Sequence, residues 1–241
     1  MREAMKKIRW SIPVSAVLVA LLLAACSKDT TPAPEGSTTA SAPATTTSAS
    51  GCSTTEPSIP AKTQMAKPFP MTINPKHAYT ATMDTSCGEI VIQLTPEKTP
   101  ETVNNFVALA DEGWYDGTLI HRISSGIAII QGGDPLCVDQ PEACGSGGPG
   151  YAIKDELSGK EKYVEGVLAM ANAGPDTGGS QFFIVTGPEG AVLQPDYAIF
   201  GNVTEGLDVA QTIQQQPVGG ATGETPLNKI WINTVTIDES P

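Results

Sequence analysis

The sequence predicts a mainly β fold, a closed barrel accompanied by two isolated helices. Short apolar runs of strand length recur between Gly, Pro and Asp turns from about residue 80 onward. Only two stretches place apolar residues at helical spacing. A set of many short strands also exposes its edges to wrong partners unless the sheet closes on itself.

The elements follow in chain order. Residues 80–83 and 89–94 read as strands joined by the turn Asp84-Thr85-Ser86-Cys87-Gly88. Thr99-Pro100-Glu101 starts a helix: Thr99 can cap, Pro100 suits the first turn, and Glu101 favours the positive end. Val103, Phe106, Val107 and Ala110 then recur on one face, which predicts a core-facing helix ending at Gly113. Apolar runs at 118–123 and 127–131 are strands, and the Gly- and Pro-rich stretch 132–150 is a loop. Further strands are expected at 166–171, 181–186 and 197–203. Leu207, Ala210, Gln211 and Ile213 mark a second short helix. The last strand runs from Lys229 to Ile237.

Not all 241 residues belong to this fold. Residues 1–25 combine Arg2, Lys6, Lys7 and Arg9 with an apolar run from Ile12 to Ala25, which reads as an export signal. The run is short for a bilayer span and holds Pro13; the alternative is an uncleaved membrane anchor. Leu23-Ala24-Ala25-Cys26 has the form of a bacterial lipobox, with Cys26 as the lipidated residue of the mature chain. Residues 26–74, richest in Ser, Thr, Ala and Pro up to Ser58, have too little apolar surface to offset the entropy of ordering and read as a flexible tether. The folded domain is expected over 75–241, large enough for a single core.

The net charge is −12, and loss of residues 1–25 takes away four basic residues and one acidic, giving −15. Nucleic-acid binding needs a basic footprint and is excluded. Adsorption to anionic lipid is disfavoured too, so lipid on Cys26 would have to anchor the chain at the outer face of the cell membrane. With Cys26 modified, Cys52, Cys87, Cys137 and Cys144 remain, an even number that favours disulfides in an exported chain. Cys137 and Cys144 bracket a short polar loop and are the easiest to join, which leaves Cys52 with Cys87. The spacings match no zinc signature, so no metal is expected.

Several motifs give way to plainer readings. Gly145-Ser146-Gly147-Gly148-Pro149-Gly150 fits a dinucleotide fingerprint in spacing, but no strand precedes it and Pro149 interrupts it. Asp176-Thr177-Gly178 matches an aspartic-protease triplet, yet only one occurs and that chemistry needs two carboxylates. No G-x-S-x-G elbow is present. His121 beside Arg122 invites a general-base role, but neighbours on a strand face opposite ways, so His121 reads as a core histidine. Arg122 is the only arginine beyond the leader and sits between apolar runs, which points to function rather than a solvated charge.

Ile120-His121-Arg122-Ile123, Gln131-Gly132-Gly133-Asp134, Met170-Ala171-Asn172-Ala173-Gly174-Pro175 and Gly179-Ser180-Gln181-Phe182-Phe183 together resemble the cyclophilin family of peptidyl-prolyl cis–trans isomerases. The resemblance implies an eight-stranded antiparallel barrel with a helix over each end. It implies Arg122, Gln131 and Phe183 as the catalytic set. Ile127, Ala128, Ile129, Ala171, Asn172, Gln181, Val192, Leu193 and Tyr197 would contact a proline-containing polypeptide, the expected partner of a monomeric enzyme without a cofactor. Phe183 and Leu193 would line the proline pocket, and the main chain of Ala171-Asn172 would hold the residue before proline.

The sequence departs from the best-known cyclophilins in three ways. The interval from Arg122 to Gln131 is one residue longer than usual, and Ile127-Ala128-Ile129-Ile130 stands where Phe followed by Met is frequent. Val192 takes the place of a tryptophan, and Tyr197 that of a histidine. A non-catalytic proline-binding or scaffold module of the same fold therefore stands as the runner-up. In the family, cyclosporin binding is associated with that tryptophan, whose indole offers an N–H donor and a broad apolar face that valine lacks. Cyclosporin should inhibit this protein weakly and Val192→Trp more strongly, as inhibition titrations will read; tight inhibition of the unmodified chain contradicts this.

Overall fold

Strands β1 (Ala78–Thr85) and β2 (Gly88–Leu94) form an antiparallel hairpin in which Ala81 faces Ile92 and Met83 faces Ile90. All four side chains are buried, the alternation expected of strands with one face on a core. The computed structural model describes residues 51–241. The signal segment 1–25, the lipidation site Cys26 and the tether as far as residue 50 lie outside the described residues.

The sheet continues on both sides of the hairpin. β1 pairs with β11 (Trp231–Ser240), which pairs with β3 (Thr118–Leu119). β2 pairs with β8 (Ile199–Glu205), then come β6 (Val167–Met170), β7 (Phe182–Val185), β5 (Ile129–Gly132) and β4 (Arg122–Ser124). Every pairing is antiparallel. This is a curled antiparallel sheet of nine strands, one more than the eight expected. The extra strand has a local cause: the segment expected as one strand is interrupted at Ile120-His121. Its first part bonds to β11 and its second to β5, with Ile120 N–H donating to Ile230 O at 2.9 Å and His121 N–H to Gln131 O at 3.0 Å.

Helix α1 (Pro100–Asp111) has proline in its first turn, as expected, but Thr99 does not cap it with its side chain. Its hydroxyl lies 3.3 Å from Ile199 O and 3.4 Å from Thr95 O instead. The cap is tertiary: the Glu156 carboxylate accepts from Glu101 N–H at 3.1 Å, from Thr102 N–H at 2.8 Å and from the Thr102 hydroxyl at 2.8 Å. A carboxylate there also meets the positive end of the helix dipole. Gly113, at φ 64°, ends the helix, with Gly113 N–H donating to Ala110 O and Trp114 N–H to Leu109 O. Helix α2 (Leu207–Gln214) buries Ala210 and Ile213. After it comes a feature the sequence reading lacked, a two-stranded ladder of β9 (Val218–Gly219) with β10 (Thr225–Pro226).

The main core gathers on Phe106 of α1, whose ring lies 4.9 Å from Tyr115, 5.2 Å from Phe200 and 6.0 Å from Phe182. A second apolar cluster lies on the other face of β5, β6 and β7: Ile129, Val167, Ala169, Phe183 and Val185, joined by Tyr163. Ile130, Leu168, Met170, Phe182 and Ile184 of the same strands belong to the main core. Period-two alternation with both faces apolar explains why these stretches read as unbroken apolar runs in the sequence.

The described part of the expected tether, 51–74, follows the surface of the domain. Cys52 is bonded to Cys87, Ser53 N–H donates to Ser86 O, Lys62 Nζ to the carbonyls of Gly113 and Asp116, and Met65 N–H to Pro149 O. The second disulfide, Cys137–Cys144, closes a loop around a short 3-10 turn at Pro141–Ala143. The base of that loop rests on buried Asp134, whose carboxylate accepts from the main-chain N–H groups of Leu136, Gly145 and Gly147 at 2.7, 2.6 and 2.9 Å.

Two stability measurements check this account. Glu156→Ala should cost about 1 kcal/mol in urea unfolding, the usual worth of a cap. Joint Cys137→Ser and Cys144→Ser should cost at most about 2–3 kcal/mol, because the loop it opens is short.

Candidate active site

The sheet register aligns the main candidates in one row. Arg122 of β4 is directly opposite Gln131 of β5, Gln131 is opposite Phe183 of β7, and Phe183 is opposite Ala169 of β6. Directly opposed residues point to the same side of a sheet. The guanidinium, the amide and the phenyl ring therefore share the face that carries the second apolar cluster.

Hydrogen bonds tie the polar half of the row together. Arg122 Nη1–H donates to Gln131 Oε1 at 3.1 Å, and Gln131 Nε2–H to Gln181 Oε1 at 3.0 Å. Gln181 Nε2–H in turn donates to the carbonyls of Gly147 at 2.9 Å and Gly145 at 3.0 Å. On its other side Arg122 Nε–H donates to Glu224 Oε2 at 2.8 Å. The hydrogen bond from Arg122 holds the Glu224 carboxyl below the usual carboxylate range, against the opposing effect of burial, with Ser124 adding to the lowering.

The apolar half is a small aromatic nest. Phe183, 3% exposed, packs edge-on against Tyr197 at 5.3 Å and lies 6.1 Å from Tyr163. Ile127, Ala171, Leu193, Tyr197 and Ile199 pack on this cluster, with Ile129 inside it. Tyr163 escaped the sequence reading because it stands among polar loop residues with no periodicity to mark it. Its hydroxyl donates to Tyr197 O at 2.8 Å and accepts from Tyr197 N–H at 2.9 Å, which fixes the main chain of Tyr197. Burial raises the Tyr163 phenol to about 12.

Beside the row lies a cleft of about 450 Å³, lined by Gln131, Gln181, Ala171, Asn172, Gly147 and Thr177 among others. Ala171 N–H donates to Gln181 O at 2.9 Å and Asn172 Nδ2–H to Asp196 O at 2.8 Å, so both loop residues are held in place. A larger groove of about 620 Å³ runs past Lys98, Glu156 and Lys162 and contains none of the expected residues. Charged side chains of both signs border it, so its size alone marks no chemistry.

Two expected contacts stand apart. Val192 is 63% exposed at the end of a 3-10 turn, Pro188–Val192, outside the apolar cluster. Ala128 adopts a left-handed φ of 44° and uses its carbonyl to accept from Thr186 N–H, also outside the cluster. Ile127 and Ile129 on either side do pack there. Glu224 was missed altogether, since nothing in the sequence links a residue beyond α2 to Arg122.

His121 has both ring nitrogens buried without a hydrogen-bond partner, and burial lowers its pKa against the opposing charge of Asp134. The ring lies within 4.8 Å of the Cys137 and Cys144 sulfurs. The disulfide occupies both sulfurs, which leaves the imidazole as the one metal ligand of that trio.

The fold that carries this row has known relatives. Residues 80–237 match the family described as cyclophilin type peptidyl-prolyl cis-trans isomerase/CLD. The chain is 47% identical over 132 residues to peptidyl-prolyl cis-trans isomerase B of Bacillus subtilis, covering 54% of this chain and 87% of that one. It is 40% identical over 164 residues to peptidyl-prolyl cis-trans isomerase-like 3 of Gallus gallus, covering 66% and 96%. A crystal structure of a Cryptosporidium parvum cyclophilin type isomerase superposes with a TM-score of 0.59 at 32% identity, covering 68% of this chain and 99% of that one. Another, of the same protein in the presence of the dipeptide Ala-Pro, gives 0.58. The aligned row of arginine, glutamine and phenylalanine beside an apolar nest is thus set in a matching fold, and the chain belongs to the cyclophilin-type peptidyl-prolyl cis–trans isomerase family.

Proposed function

We propose that this protein catalyses cis–trans isomerisation of Xaa-Pro bonds, with Arg122, Gln131 and Phe183 as its catalytic set. The single observation that carries the reading is the register row that brings a guanidinium and an apolar, aromatic cluster onto one face of the sheet. Rotation about a peptide bond faces a barrier of about 18–20 kcal/mol from amide resonance. It breaks no covalent bond and needs no co-reactant. A catalyst must bind the twisted amide better than either planar form. Twisting makes the proline nitrogen pyramidal and returns its lone pair, and an Arg122 N–H donates to that lone pair where the planar amide offers almost none. A donor already in place costs no reorganisation at the moment of rotation. Phe183, Leu193 and Tyr197 hold the ring, Gln131 orients the guanidinium, and Ala171-Asn172 with Gln181 hold the chain before proline.

The finer features of the reading rest on the sequence. The basic, apolar and small-residue pattern of 1–25 and the lipobox at Cys26 support an exported lipoprotein that assists folding at the outer face of the cell membrane. Closure of the sheet into a barrel is supported by the bonds of Ile120 and His121 to β11 and β5, the two sides that a closing strand must join. The replacement of the pocket tryptophan by exposed Val192 supports the second reading, a proline-binding module without turnover.

A coupled peptide assay separates the two. The unmodified protein should turn over a proline peptide, and Arg122→Ala should lower kcat/KM by roughly 10²–10³ with unfolding unchanged. Arg122→Lys should also lose most activity, because an ammonium lacks the planar fork. Peptide binding without turnover in the unmodified protein would support the module instead.

A further inference from the structure

The structure assigns Glu224 as a positioning residue that clamps the guanidinium of Arg122 from the edge opposite Gln131. This inference deepens the catalytic reading of Arg122 above and rests on it.

The β9–β10 hairpin delivers Glu224 to the site. Ile123 N–H donates to Glu224 O at 2.8 Å, so the main chain of Glu224 is fastened to the residue next to Arg122. From that anchor the carboxylate reaches Arg122 Nε at 2.8 Å. The hairpin, residues 218–226, carries no other ionisable side chain, and β4 presents only Arg122 and Ser124 to the carboxylate.

A guanidinium has five N–H donors in a rigid plane. Glu224 takes the one on Nε and Gln131 one of the two on Nη1. Two partners on different nitrogens fix the plane as well as the position of the group. Three donors are left, one on Nη1 and both on Nη2, for a substrate. Either partner alone would leave the group free to turn about the bond it makes.

Stability does not explain the pair. The side chains of Arg122 and Glu224 are 37% and 28% exposed, and an ion pair that solvent reaches contributes little to folding. The arginine gains orientation from it, and orientation is what a weak acceptor such as a twisted amide nitrogen demands of its donor. Glutamine at 224 could accept the same Nε–H through its carbonyl oxygen, whereas alanine could not. The clamp is geometric, and its loss should lower kcat with KM nearly unchanged.

The test is a kinetic cycle on the full exported chain with a proline peptide: the unmodified protein, Glu224→Ala, Glu224→Gln, Arg122→Ala, and Arg122→Ala with Glu224→Ala. Thermal unfolding checks that each variant is folded. Glu224→Ala should lose about ten- to a hundredfold in kcat, Glu224→Gln should recover most of it, and Glu224→Ala should cost nothing further once Arg122 is alanine. The proposal is overturned if Glu224→Ala turns over at the unmodified rate. Equal loss with and without Arg122 overturns it too, since a merely structural role would give that. A glutamine variant as slow as the alanine one removes the geometric clamp. Full turnover by Arg122→Ala sinks the catalytic reading itself, an outcome separable from failure at Glu224 alone.

Discussion

Strand β7 carries the constraint on which the rest depends: it is buried on both faces. Phe182 and Ile184 enter the main core, while Phe183 and Val185 enter the second cluster. A slip of one residue would exchange the two sets and turn Phe183 away from Gln131. The register is therefore enforced by two cores at once, and the candidate site inherits its precision from packing that has nothing to do with chemistry. Phe106 pins one side of β7 through Phe182, and Tyr163 pins the other through Phe183.

The polar half of the site is held by a different device. Asp134 is fully buried, and its carboxylate gathers three main-chain N–H groups that flank the loop closed by Cys137–Cys144. A buried carboxylate is tolerable only when so satisfied. The carbonyls of Gly145 and Gly147, set by that arrangement, then receive the side-chain amide of Gln181, which orients Gln131 and through it Arg122. Small residues matter at one point in particular. A side chain at Gly147 would meet Asp134 Oδ1 at 2.1 Å, so the loop can close over the carboxylate only with glycine there.

Much of this was legible in the sequence, because local rules and tertiary outcome agree. α1 shows its core face through Val103, Phe106, Val107 and Ala110, all buried, and its end through Gly113. Both disulfides match the pairing expected when Cys26 is set aside and the short loop 137–144 is closed first. What stayed hidden depends on partners distant in sequence. Glu156 caps α1 from more than fifty residues away, a task the sequence offered to Thr99. Glu224 reaches Arg122 across 102 residues, and Tyr163 steadies Tyr197 across 34. No spacing rule encodes such contacts. The ninth strand was hidden for a related reason: whether 118–124 is one strand or two is decided by its neighbours on either side, β11 and β5.

Stability and chemistry are supported by largely separate groups of residues. The aromatic core around Phe106 and the second cluster remove large apolar surfaces from water, and that burial supplies most of the driving force for folding. Arg122, Gln131 and Glu224 are partly exposed and bury little. Their bonds to one another, made half in water, add little to folding and chiefly restrict motion. A strongly acidic chain that carries a single arginine in its described residues would gain nothing general from that one charge. Its value lies in being fixed: sheet register sets its position on the face that carries the second apolar cluster, and Gln131 and Glu224 set its plane.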